Sequence, residues 1–153
     1  MSTPRVVIVS GGTFGIGRAI TLRLAALGHA VTAFGLEAPQ ISSLAAAGIF
    51  SLAAEMKERG LKADLMEADV SNAADVARVV DATLQRHGRI DALVNNAAIG
   101  PLGTVLDTDE ATFDRIMAVN LKGPYLTSRA QRPNARELYT HGGSNGGRDD
   151  HER

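Results

Sequence analysis

A short run of β-branched residues, Val6-Val7-Ile8-Val9, leads directly into Ser10-Gly11-Gly12-Thr13-Phe14-Gly15-Ile16-Gly17, and this junction constrains the fold more than any other feature. An unbroken apolar run suits a strand buried on both faces, the habit of parallel sheets covered by helices. Beyond the glycines, Ile16, Ile20, Leu24 and Leu27 recur at helical spacing, and Gly28 stands where a helix would end. Strand, glycine turn and helix are therefore consecutive.

The unit repeats along the chain. A second strand is predicted over 30–34, a helical region weakened at Gly48 over 41–59, and a third strand over 63–67. The next helix, 73–87, carries Val76, Val79, Val80 and Leu84 on one face, with Asp69, Ser71 or Asn72 available near its cap. A fourth strand follows over 90–94. After a loop with Gly100, Pro101 and Gly103, one helix is expected over about 109–119 and another from near Leu121. Strands alternating with helices of this length call for an α/β fold, a Rossmann-type doubly wound parallel sheet.

At 153 residues the chain suits one domain. Its character changes after residue 130: positions 131–153 hold three hydrophobic residues (Ala135, Leu138, Tyr139) against four glycines, four arginines and four acids. Such a stretch buries too little apolar area to offset its ordering entropy. The expectation is a folded unit over 1–130 and a disordered tail over 131–153. A net charge of −1 gives no electrostatic reason to expect nucleic acid or anionic lipid. No apolar run approaches the ~18 residues of a membrane span. The chain has no cysteine, and its N-terminus lacks the pattern of a signal peptide, so a cytoplasmic location is expected. His29, His87, His141 and His151 show no metal-ligand spacing, and no metal site is expected.

The glycine segment lies between a strand and a helix, where backbone amides and the helix dipole can hold a pyrophosphate. An ordinary tight turn is the alternative. The segment resembles the Thr-Gly-x-x-x-Gly-x-Gly fingerprint of the short-chain dehydrogenase/reductase family, with Ser10 keeping the hydroxyl of the Thr. Asn95-Asn96-Ala97-Ala98 is similar to the family's Asn-Asn-Ala-Gly, which lies beside the cofactor ribose. Ala68-Asp69-Val70 is similar to its Asp-Val pair, which approaches the adenine; for Asp69 a helix N-cap is an open alternative. Val119-Asn120-Leu121-Lys122-Gly123 resembles the segment whose Asn kinks its helix and holds a proton-relay water, where a surface Asn is the alternative.

The resemblance, from residue 5 to about residue 130, implies an incomplete sheet of about four strands in the order 3-2-1-4. It implies a nicotinamide dinucleotide held by Ser10, Gly11, Thr13, Phe14, Gly15, Ile16, Gly17, Asp69, Val70, Asn95, Asn96 and Ala97, with Asn120 as the relay residue. The choice between NAD and NADP depends on the end of the second strand. Gly35 occupies the family's acid position, as in many NADP-preferring members, while Leu36 and Phe14 stand where such members carry cations. Glu37 lies 20 residues after Gly17 (37 − 17), the spacing of an acid that binds a ribose 2′-OH, and it points to NAD; a solvent-exposed Glu is equally open.

Proton transfer in the family uses a Tyr acidified by a Lys four residues on, together with an upstream Ser. Here Tyr125 is followed at that spacing by Arg129 and Tyr139 by Gly143, and no lysine follows Lys122. Tyr125 and Arg129 are read as an ordinary helix pair. The expectation is a catalytically incomplete chain, as a frameshift or premature truncation would give, from a family that acts on small-molecule alcohols and ketones. A non-catalytic dinucleotide-binding or interaction fragment is the rival. The fourth strand would expose an edge, and helices around 109–130, which build a homo-oligomer interface in the family, would expose apolar surface.

Overall fold

The computed structural model describes residues 3–37, 48–100 and 103–131. Residues 132–153 of the expected tail lie outside them, as do residues 41–47 of the predicted second helical region. Among the described residues the elements are β1 (Val6–Ser10), α1 (Gly15–Ala26), β2 (Ala30–Gly35), α2 (Ile49–Glu58), β3 (Asp64–Glu67), α3 (Ala73–His87), β4 (Ala92–Asn95), α4 (Glu110–Met117), a π-helical turn (Ala118–Lys122) and α5 (Gly123–Ala130). The four strands form one parallel sheet in the order β3-β2-β1-β4, with helices on both faces: a doubly wound Rossmann-type sheet, as expected.

The period of two along β1 explains the layering. Val7 and Val9 face one side, where they meet Val31, Ala33 and the Ile20 and Leu24 stripe of α1. Ile8 faces the other side, packed with Phe34, Ala68, Val70 and the Val79 and Val80 face of α3. Every residue of β1 is buried, so the continuous apolar run is what a strand covered on both faces requires.

Boundaries follow local chemistry. Asn72, not Asp69 or Ser71, caps α3: its side chain accepts from the amides of Ala74 and Asp75. Gly88 ends α3 at φ 73°, in the left-handed region that favours glycine. The fourth strand begins later than the predicted residue 90. Asp91 is spent on clamping the start of β1, its amide donating to the Val6 carbonyl at 2.8 Å and its carboxylate accepting from the Val6 amide at 2.7 Å.

A larger departure concerns the two helices expected on either side of residue 120. The chain runs without a break from α4 to α5 through the π-helical turn, in which the Gly123 amide bonds the Ala118 carbonyl five residues back. Pro124 contributes to this. It has no amide hydrogen, so the Asn120 carbonyl cannot accept from residue 124 at α-helical spacing. The wide turn absorbs the mismatch without ending the helix.

Candidate functional site

The carboxyl ends of parallel strands leave a crevice in a doubly wound sheet. Here it is a cleft of ≈ 460 Å³, floored by Gly11, Phe34 and Gly35, flanked by Thr13 to Ile16 of the glycine loop, and closed by Ala68 to Val70 and Asn96 to Ile99. Arg115 and Val119 reach it from the helical arm.

The loop is built from inside. Gly11 and Gly15 have φ of 61° and 51°, values at which a side chain would be strained. A Cβ on Gly17 would overlap the Gly11 carbonyl and the Asn96 amide, so this glycine lets α1 close onto the loop. Ser10 is buried beneath: its hydroxyl donates to the Val94 carbonyl and accepts from the amides of Asn96 and Ala97 at 3.1 and 3.2 Å. The Asn96 side chain returns the connection, donating to the carbonyls of Ser10 and Gly11 at 3.2 and 3.0 Å. Thr21 donates to the Gly12 carbonyl at 2.9 Å. The first turn of α1 has no side-chain cap. Its amides are thus left for an anion from outside.

Of the residues singled out from sequence, Gly11, Thr13, Phe14, Gly15, Ile16, Asp69, Val70, Asn96 and Ala97 line one cleft. Ser10 and Gly17 support it from below. Asn95, Asn120 and Glu37 have other partners. Asn95 accepts from the Thr127 hydroxyl at 2.7 Å, which docks α5 on β4. Asn120 clasps Ile99 at both backbone atoms, accepting from its amide at 2.9 Å and donating to its carbonyl at 2.8 Å. Glu37 accepts from the Ile49 amide at 3.0 Å and packs against Gly48, so its carboxylate serves the N-terminus of α2. It does not line the cleft, because the free amides of a helix start compete for a nearby carboxylate.

Asp69 is the most elaborately held side chain of the cleft. One carboxylate oxygen accepts from the Ser71 amide and hydroxyl at 2.8 and 2.7 Å; the other accepts from Arg115 at 3.1 Å. Burial raises its pKa, but the hydrogen bonds from Ser71 and then Arg115 outweigh this and hold the carboxyl below the ordinary value. Arg115 also donates to the Ser71 hydroxyl at 2.9 Å. Sequence reading missed Arg115, since its partners lie more than 40 residues away. Tyr125 lies outside the cleft; Arg129 donates to its hydroxyl at 2.8 Å and stands 5.9 Å from its ring, an ordinary helix-surface pair. Among the described residues no cluster of His, Asp or Glu could hold a metal ion, and no helix is long and apolar enough to cross a membrane.

Comparison with known proteins agrees with this geometry. The short chain dehydrogenase family profile matches residues 5–144. The chain is 36% identical to the sepiapterin reductase of Chlorobaculum tepidum over 125 residues, covering 82% of this chain and 51% of that one. Among solved structures, the F189W actinorhodin polyketide ketoreductase with NADPH superposes with a TM-score of 0.75 at 26% identity, over 92% of this chain and 51% of the other. A metagenomic short-chain oxidoreductase in complex with NADP gives 0.69 at 35% identity, over 84% and 55%. This chain belongs to the short-chain dehydrogenase family. It spans about half the length of the curated relatives it matches.

Proposed function

We propose that this chain binds a nicotinamide dinucleotide in the cleft at the ends of β1, β2 and β4, as the cofactor-holding part of an oxidoreductase that interconverts alcohols and carbonyls. The observation that carries the reading is the glycine loop, whose left-handed glycines and uncapped helix start form a cradle for a pyrophosphate. The residues fit that group: Gly11, Thr13, Phe14, Gly15 and Ile16 for the phosphates, Asp69 and Val70 for the adenine, and Asn96 and Ala97 for a ribose. The similar solved structures that hold NADPH and NADP support this. When bound, the nicotinamide supplies the hydride acceptor or donor. Ser10, Gly17 and Asn95 keep the loops in place, and Asn120 holds the arm that would carry a proton relay.

NAD is the preferred form in this reading. A 2′-phosphate needs a cation, and Phe14, Gly35 and Leu36 offer none; residues 38–47 contain no lysine or arginine. The guanidinium that lines the cleft, on Arg115, is already engaged by Asp69 and Ser71. Glu37 contributes only its negative charge at the end of β2, since its oxygen serves α2.

The unit that binds is residues 1–130, and this chain alone does not turn over an alcohol or ketone. A Tyr phenol with a reference pKa of about 10 needs a neighbouring cation to exchange its proton near neutral pH. Neither Tyr125 nor Tyr139 is followed by a lysine at the required spacing. A second reading, an interaction fragment, is favoured by β4, which is paired only with β1 among the described residues and so offers a strand edge. Calorimetric titration of the folded chain with NAD(H) and NADP(H) tests the proposal. Saturable binding, tighter for NAD(H), is expected; a folded chain that binds neither refutes it.

A further inference from the structure

Arg115 hydrogen-bonds the helical arm to the β3–α3 loop across the mouth of the cleft. Its Nη2 donates to Asp69 at 3.1 Å and its Nη1 to the Ser71 hydroxyl at 2.9 Å, while that hydroxyl donates to the other Asp69 oxygen at 2.7 Å. With the Ser71 amide added at 2.8 Å, the carboxylate is fixed in rotation by donors on both oxygens. The peptide just before the side chain is held as well, since the Asp69 amide donates to Asp75 at 2.9 Å. One oxygen accepts two of these bonds. Among the described residues the other accepts only from Arg115, and Asp69 still lines the cleft.

A carboxylate oxygen has room for more than one donor. We infer that Arg115 is a positioning residue that turns the less occupied Asp69 oxygen into the cleft as an acceptor, and so selects a base carrying an exocyclic amine over one carrying a carbonyl. The chemistry is one-sided: an ionised carboxylate accepts only, so an amino group is attracted and a carbonyl oxygen is repelled. Arginine suits the task because its planar fork reaches Asp69 and Ser71 together, whereas a lysine ammonium on a flexible stem does not hold both in one fixed geometry.

The inference rests on the dinucleotide reading, and one titration set separates the two. The full chain, Arg115→Met and Arg115→Lys are titrated with NAD and with its hypoxanthine analogue, in which a carbonyl replaces the adenine amine. The unaltered chain is expected to favour NAD by about tenfold, the scale of one charge-assisted hydrogen bond. Arg115→Met should reduce that preference to about threefold or less, with Arg115→Lys between. A merely structural role would weaken both ligands equally and leave the ratio unmoved, which overturns the inference. If Arg115→Met does not fold, the Arg115→Lys ratio decides alone: a fall supports the inference and no change overturns it. If the unaltered folded chain binds neither dinucleotide, the underlying reading falls and this inference with it.

Discussion

The sheet floor and the helical arm of this molecule are held by different forces. β1 is buried along its whole length, and Val31 to Phe34 of β2 are buried beside it. α4 has no buried residue at all, and Phe113, Met117, Leu121 and Tyr125 along the arm are exposed. What fastens the arm to the cleft is largely polar: Asn120 to Ile99, Arg115 to Asp69 and Ser71, Thr127 to Asn95. Val119, Ala130 and Gly123, the last packed on Val70, supply apolar contact. Burial is non-directional and scales with area, so it makes a floor that tolerates small changes of angle. Hydrogen bonds are directional and individually modest, so they set the arm's geometry at little gain in stability.

That contrast can be broken most forcefully at the glycine loop. Gly17→Val should cost about 3 kcal/mol or more, because the added atoms meet the rigid Gly11 carbonyl. Urea unfolding would show it as a lower midpoint, and an unmoved midpoint would mean the loop does not close on α1 as described. Thr21→Val should cost roughly 1–3 kcal/mol by leaving the Gly12 carbonyl without its buried donor. The same urea series measures it.

Asn120→Ala tests the arm. It removes both bonds to Ile99, with an expected loss of about 1–2 kcal/mol that is local. Hydrogen exchange should quicken at the Ile99 amide while β1 amides stay protected; equal quickening of both would show that floor and arm unfold as one unit.

Acid should weaken the arm next. Asp69 sits below its ordinary value when folded, so it stabilises the folded state fully above its unfolded pKa of about 3.9 and progressively less as pH falls below it. Asp109, which caps α4 through the Thr112 amide, and Asp107, bonded to Thr104, are lowered as well. Unfolding midpoints are expected to be unaffected by these groups from neutral pH to about pH 5 and to fall below about pH 4. A rise in stability on acidification through that window would contradict the sign. The smallest effect belongs to the arm's surface: Leu121→Gln should change stability by no more than about 0.5 kcal/mol. A larger loss by the same urea measurement would mean that another surface covers this face in solution.

The legible part of the molecule was the part made by local rules. The β-branched run at 6–9 marked β1, the stripe at Val76, Val79 and Val80 marked α3 from Ala73 to His87, and the glycine loop stood between strand and helix as placed. The strand order followed from the resemblance carried by those same motifs. Much of the cleft lining was legible for the same reason, because Gly11 and Thr13 to Ile16, Asp69 and Val70, and Asn96 and Ala97 each follow the end of a strand.

Other features resisted local reading. Glu37 had the right spacing for a ribose acid, yet the uncapped start of α2 took its carboxylate. The helix break expected before Leu121 became a π-helical turn, since a continuous helix keeps all but a few of its backbone bonds and lets Asn120 reach Ile99. Arg115 looked like any surface arginine until folding brought it to Asp69 from 46 positions away. Periodicity and glycine placement act between neighbours in the chain, so the sequence by itself determined the strands, most of the helices and the glycine loop between β1 and α1. Side-chain partners separated by tens of residues depend on how those elements pack, and only the tertiary structure decided which donors reach Asp69, which acid faces the cleft, and what fastens the arm.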